Sequence, residues 1–343
     1  MRSWIRTLVV TALAAVLLAA FLRNANLREV WSVMRQARLG LVAVGVACLF
    51  FGYVCRTLRW QVMLAPIGAT RFGVAFRATI IGFAASFVLP ARAGEVIRPW
   101  LLAKREGLPV AAAFATILLE RVLDLVTVLA LLGLYFLAFD PGLSTMDPAM
   151  YGAVRAGALL AAVAAAVGMG VMFACAADPA RLSKLVAWST GWLPAGPRAI
   201  ITGLSQSFGE GLAAVRKPRQ LALALAWSVP LWLSIAAQIW VVSLALGVVL
   251  PLAGSLLVTA VLVVGVAVPT PGAVGGYHEA YRLATTSFFG IDNDHAIGAA
   301  IVLHAVGFVP TLAAGAWMMA MEGLSVGSLG QVASTATARE TQP

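Results

Sequence analysis

An all-α protein that crosses a membrane several times is what this sequence predicts. Three observations carry that expectation. Apolar residues make up 61% of the 343 and charged residues 11%, where soluble domains have about a quarter charged. The apolar residues gather in runs close to the length a membrane span needs, about 20 residues. Two of the runs are broken from within by proline, glycine and charge, at residues 89–99 and 268–279. The predicted architecture has about six to eight full spans, one or two re-entrant hairpins of broken helix, and an inverted repeat.

The net charge of +10 does not call for nucleic acid. In a membrane protein the Lys/Arg excess sits mainly in cytoplasmic loops and sets orientation. Cys48, Cys55 and Cys175 lie in apolar runs or at their ends without paired spacing, so they read as packing residues.

In chain order, residues 5–22 follow Arg2 and Arg6 and read as an uncleaved first span. Residues 23–38 carry Arg23, Arg28, Arg35 and Arg38 against Glu29. Their apolar residues Leu27, Val30, Trp31 and Met34 recur at helical spacing, as in an amphipathic helix at the interface. A span at 39–55 follows, and Arg56, Arg59 and Arg71 read as charges of the next cytoplasmic loop. The run at 72–89, continued to 103, begins beside Arg71 and ends at Lys104 and Arg105. It must return to the side it entered from, which a hairpin broken at Pro90 achieves. A span at 109–139 leads to an outer loop with Asp140 and Asp147, and a span at 151–177 returns. Residues 175–220 carry six bases (Arg181, Lys184, Arg198, Arg216, Lys217, Arg219) against Asp178 and Glu210. They place Ile201, Leu204, Phe208, Leu212 and Val215 on one helical face, on the cytoplasmic side. Runs at 221–250, 252–268, 272–290 and 296–321 complete the set. The pair 252–268 and 272–290 reads either as a second hairpin or as two ordinary spans. Each broken segment precedes one long span, in opposite orientations, which gives the inverted repeat. One membrane domain is expected over 1–323, with a small, polar, disordered tail over 324–343.

The breaks hold the candidate chemistry. In the first, Arg92, Glu95 and Arg98 stand between Pro90 and Pro99, and Gly94 permits a close backbone approach. A charge at the bilayer centre costs roughly 2.5–3.5 kcal/mol on insertion scales, so such charges face a cavity or one another. The plainer alternative is a cytoplasmic loop with ordinary charges. The second break has Pro269, Pro271, Gly272 and Gly275, then Glu279. Paired Gly/Pro-broken segments in two halves of a chain point to a transporter site. Within 109–139, Glu120 and Asp124 share a helical face and need a cation, a proton or arginines. Arg92, Arg98 and Arg121 are the arginines for that role, and guanidinium also suits bidentate phosphate binding. Glu95, Glu120, Asp124 and Glu279 then balance charge or take up a proton or cation. A purely structural salt-bridge network competes with this reading.

Several chemistries lack their residues. His278-Glu279 begins like a zinc-protease H-E-x-x-H, but position 282 is arginine. No Walker loop occurs, and nothing in the pattern asks for a metal or cofactor. His295 and His304 read as interface or packing residues.

Arg59-Trp60, the stretch 89–98, Glu120-Arg121-x-x-Asp124 and Pro269-x-Pro271-Gly272-x-x-Gly275 together resemble a bacterial flippase-like family. This is the transmembrane region of lysylphosphatidylglycerol synthases, with its stand-alone relatives. The resemblance runs from Trp4 to Glu322. It implies movement of a phosphate-bearing lipid between leaflets of the bacterial inner membrane, with a phospholipid or glycolipid as ligand. The family's full-length synthases add a soluble aminoacyl-transferase domain after this region. Lipid aminoacylation is therefore not expected of these residues. The alternatives are a membrane-embedded enzyme using Glu95, Glu120 or Asp124 as acid or base, and a scaffold subunit of a lipid or glycolipid synthesis complex. A homo-oligomer and lipid-synthesis enzymes stay open as partners.

Overall fold

The structure is a computed structural model, and it describes residues 25–89, 92–138, 148–267 and 270–324. The expected first span, the tail beyond 324, Pro90, Pro269 and the outer loop at 139–147 lie outside those residues. The described residues form twelve α-helices and no strand. The chain is an all-α, multi-pass membrane protein. Four helices are long and apolar enough to cross a bilayer: α2 (Leu39–Leu64), the Leu159–Ala177 part of α6 (Pro148–Ala177), α9 (Pro218–Ala245) and α12 (Asn293–Met321). The helix α5 (Val110–Ala138) is as long as α12, at 29 residues, and carries charge in its interior.

Antiparallel α2 and α9 form the axis of the molecule. Gly45 faces Val242 and Gly52 faces Ser234, so small residues let the backbones close in. The Arg38 N–H donates to the Ala245 carbonyl (2.9 Å), which joins the start of α2 to the end of α9. This defines two ends of the bundle. Arg71, Lys104, Arg105, Lys217 and Arg219 gather at one, the basic end. The short α1 (Leu27–Arg35), capped by the Asn26 side chain, sits at the other with Asp292 and Asp294. Its Val30 and Val33 pack inward while Leu27 and Trp31 stay exposed, as an interfacial helix requires.

From the basic end, α3 (Phe72–Val88) runs inward and α4 (Gly94–Glu106) runs back. Gly82 faces Arg98, and Gly94 faces both Gly82 and Ser86, the register of an antiparallel hairpin. From the opposite end, α10 (Gly254–Ala267) runs inward and α11 (Gly276–Phe289) returns, with Gly265 against Gly276 and Ala280. At 1.5 Å per residue, α4, α10 and α11 are about 20 Å long, well short of a hydrocarbon core of about 30 Å. The second broken segment is therefore a hairpin and not two full spans. Each hairpin is followed by a long helix, α5 or α12, that crosses to the far end. The unit of span, hairpin and span thus occurs twice with opposite orientation.

The hairpin tips meet inside the bundle. The Arg92 guanidinium donates to the Val266 carbonyl, and the rings of Phe87 and Phe308 lie 4.8 Å apart. Each tip holds a non-glycine residue in the left-handed region, Arg92 at φ 53° and Ala273 at φ 57°. Such backbone costs of order 1–3 kcal/mol and persists only where its surroundings fix it. The core has a cluster at each hairpin and a third between them, with Val128, Leu132, Leu231 and Leu257. Trp60, Met63, Ile80, Ile97 and Leu119 pack around the first hairpin, while Val242, Val258, Tyr281 and Leu303 pack around the second.

Between α6 and α9, the basic segment folds as α7 (Pro179–Ser189) and α8 (Ala195–Gly211), then a 3₁₀ turn, Leu212–Arg216. Asp178 caps α7 by accepting the Arg181 N–H at 2.8 Å. Leu212 and Val215 of the expected apolar face are buried, whereas Leu204 is exposed.

The hairpin register makes Gly94 a sharp test. A Cβ there would sit 1.8 Å from the Gly82 carbonyl oxygen and 2.6 Å from the Ser86 nitrogen. Gly94→Ala is expected to destabilise the protein by at least about 1–3 kcal/mol, the usual cost of overpacking. Gly133→Ala in α5, with nothing within 4 Å, is the matched control and should be neutral or slightly stabilising. Equal thermal midpoints for the two variants in detergent would contradict the hairpin register.

Candidate functional site

Glu120 and Asp124 lie one turn apart on α5 and face α2, where Arg56 and Arg59 also lie nearly one turn apart. The sequence reading placed Arg56 and Arg59 in a cytoplasmic loop after a span ending at residue 55. That is corrected here, because α2 continues to Leu64 and buries both arginines. They can be buried because α5 brings them carboxylates.

Glu120, with no exposed surface, is the centre of the cluster. Its Oε1 accepts from Arg121 Nη2 at 2.7 Å, Arg56 Nη1 at 2.9 Å and Arg98 Nη1 at 3.0 Å, and lies 3.5 Å from Arg59 Nη2. Asp124 Oδ1 accepts from Arg59 Nη1 at 2.6 Å and from the Trp232 indole N–H at 3.2 Å, and its Oδ2 lies 3.4 Å from Arg121. Ser228 on α9 accepts from Arg59 at 2.9 Å. The Arg98 guanidinium is stacked 4.0 Å from the Trp60 ring centroid, and the Trp60 indole N–H is held by Thr116 at 2.9 Å.

Four guanidiniums therefore share two carboxylates. The excess charge has a structural mark. Nε and Nη2 of Arg59, Nε and Nη2 of Arg98, and Nε of Arg121 are buried and donate to nothing among the described residues. Nε and Nη2 form the edge of a guanidinium that binds an oxyanion with two parallel hydrogen bonds. Arg98 has that edge free, and on Arg59 neither atom of the edge makes a hydrogen bond among the described residues, although Nη2 lies 3.5 Å from Glu120 Oε1. A buried donor without a partner costs about 1–3 kcal/mol, more when charged.

A more open group adjoins the cluster. Arg92 pairs with Glu95 at 3.8 Å, and the side chains of Arg92, Glu95 and Arg121 are each 38–40% exposed. These three residues sit at the first hairpin's tip and at the middle of α5, and form a rim to the buried cluster.

The sequence-predicted residues thus divide. Arg98, Arg121, Glu120 and Asp124 come together, with Arg92 and Glu95 at the rim and Gly94 at the hairpin contact. Glu279 does not join them. It pairs with Arg282, its Oε2 accepting from Nε at 2.8 Å, and Arg282 also reaches Asn293. In the second break, Gly272 and Gly275 have positive φ, His304 Nε2 lies 2.7 Å from the Gly272 carbonyl, and the Gly275 N–H donates to His278 Nδ1 at 3.3 Å. Pro271 opens the 3₁₀ turn between the hairpin's arms. Arg56, Arg59, Trp60, Ser228 and Trp232 were missed as site residues. The apolar residues that continue around Arg56 and Arg59, namely Leu58, Trp60, Val62 and Met63, were the available signal that the helix did not stop.

Residues 4–315 match the lysylphosphatidylglycerol synthase transmembrane region. The chain belongs to that family. Arg59-Trp60, Arg98 and Glu120-Arg121-x-x-Asp124, on which the resemblance rests, are residues that build the cluster. The family connects the chain with membrane lipid. The chain is also similar to glycosyltransferase AglD of Haloferax volcanii, at 27% identity over 341 residues. That similarity covers 91% of this chain and 53% of the relative, so the chain spans about half the length of that curated protein.

Proposed function

We propose that this protein moves a phosphate-bearing lipid between the leaflets of the bacterial inner membrane, with the headgroup phosphate held by Arg98 and Arg59. Arg92, Glu95 and Arg121 form the entrance, and Glu120 and Asp124 keep the arginines in place when the site is empty. The observation that carries the reading is the buried Nε/Nη2 edge on each of Arg59 and Arg98, which makes no hydrogen bond among the described residues. The two opposed hairpins support it, because irregular backbone and charge at membrane depth are tolerated where they line a path for substrate. The translocating domain occupies 1–323. Its basic end faces the cytoplasm by the positive-inside rule. In a protein whose native cysteines are replaced, Ser32→Cys should label from outside and Gln206→Cys should not; the reverse pattern would invert the orientation.

A membrane-embedded enzyme is the second reading, favoured by the glycosyltransferase name of the relative. Its acid or base would come from Glu95, Glu120 or Asp124, of which Glu95 is half-exposed while Glu120 and Asp124 are each engaged by three or four arginines. The deciding experiment reconstitutes the protein in proteoliposomes with fluorescent phospholipids, then reads both leaflet sidedness and chemical identity. Movement of unmodified lipid supports translocation. A new lipid product with no movement supports the enzyme and overturns the proposal.

A further inference from the structure

We infer that the ligand of the arginine cluster carries two negative charges, as a terminal lipid phosphate or a diphosphate linkage does, and not the single charge of a phosphodiester. This inference rests on the translocation reading and names its substrate class.

The inference follows from accounting for charge. Arg56, Arg59, Arg98 and Arg121 surround Glu120 and Asp124, which leaves two positive charges uncompensated. The neighbouring Arg92 and Glu95 cancel one another. The other described carboxylates are committed or distant. Glu106 pairs with Arg71, and Glu322 pairs with Arg77 and Arg105 at the basic end. Asp178 caps α7 and Glu210 bonds Gln206. Glu279 pairs with Arg282, while Glu29, Asp292 and Asp294 lie at the opposite end. Asp140, Asp147 and Glu340 lie outside the described residues.

Uncompensated charge is unfavourable in a low-dielectric interior, so the bound state is most favourable when the ligand brings the cluster to neutrality. A phosphomonoester carries about −1.5 to −2 at pH 7, whereas a diester carries −1. The donor geometry agrees. Two Nε/Nη2 edges and one further Nε, none hydrogen-bonded among the described residues, can serve several acceptor oxygens, and a terminal phosphate offers three oxygens outside its ester bond. Arg56 adds charge without a partnerless buried nitrogen, so charge and donors can be varied separately.

The test uses the full chain in proteoliposomes with fluorescent phosphatidic acid and phosphatidylglycerol of identical acyl chains. Phosphatidic acid should move at least tenfold faster. Arg56→Gln, which lowers the excess charge to one and keeps the donor edges, should bring the two rates to within about threefold. Equal wild-type rates, or faster phosphatidylglycerol, would overturn the charge assignment while leaving translocation intact. If neither lipid moves in any arm, the translocation reading itself fails, and this inference with it. Binding of radiolabelled inorganic phosphate without movement of phosphatidic acid would identify the free ion as ligand and overturn the lipid assignment.

Discussion

Glu120→Gln should leave little folded protein. Four guanidiniums lie within 3.5 Å of one oxygen of this carboxylate, and all four are partly or wholly buried. Removing the acidic partner of a buried ion pair costs about 3–5 kcal/mol, because the remaining charge stays desolvated and unpaired. Here one removal affects four cations, so the effect should reach at least the upper part of that range. Against a typical total stability of about 5–15 kcal/mol, such a loss is large. The expected result is a much lower thermal midpoint in detergent and poor recovery from the membrane. Glu95→Gln, at the half-exposed rim, should leave the midpoint within a few degrees of wild type. Normal stability of the Glu120 variant would show that the carboxylate does not hold the cluster together.

Arg98→Gln should do the opposite, folding well and translocating poorly. The substitution lowers the excess positive charge, and Glu120 keeps Arg56, Arg59 and Arg121. What disappears is a free bidentate edge and the guanidinium stacked on Trp60. Losing one partner of a buried charged hydrogen bond costs about 2–5 kcal/mol in binding, or about 30-fold and upward at 1.4 kcal/mol per tenfold. Arg98→Lys should fail similarly, since an ammonium restores the charge without the planar edge. If Arg98→Gln instead lowers the amount of folded protein as Glu120→Gln does, the cluster is a structural salt bridge and not a ligand site. The two variants together separate these roles, because excess cation predicts opposite effects on stability.

The sequence made the first hairpin legible because Arg71 and Lys104-Arg105 fix its two ends on one side of the membrane. It did not resolve the second. A hairpin and a pair of spans have the same parity, so loop charges cannot distinguish them. The 14-residue helices α10 and α11 do, by length. Glu120, Asp124, Arg98 and Arg121 were legible as charges inside apolar runs. Arg56 and Arg59 were not, because two bases after an apolar run look like the start of a cytoplasmic loop. Their partners lie 64 and 65 residues away in the chain, and the ion pairs form only when α2 and α5 pack. Ser228 and Trp232 had no local signal, since each contributes one polar atom on a largely apolar helix whose other buried polar residues, Ser234, Gln238 and Ser243, look alike in sequence.

The most direct test of the central claim is a cryo-electron microscopy map of the wild-type protein in nanodiscs containing phosphatidic acid. Density for a phosphate within hydrogen-bonding distance of the Nε/Nη2 edges of Arg59 and Arg98, continuous with an acyl chain leaving past Arg92 and Arg121, is the expected result. Phosphate density confined to the two membrane surfaces, with both edges still without a hydrogen-bond acceptor, would contradict it.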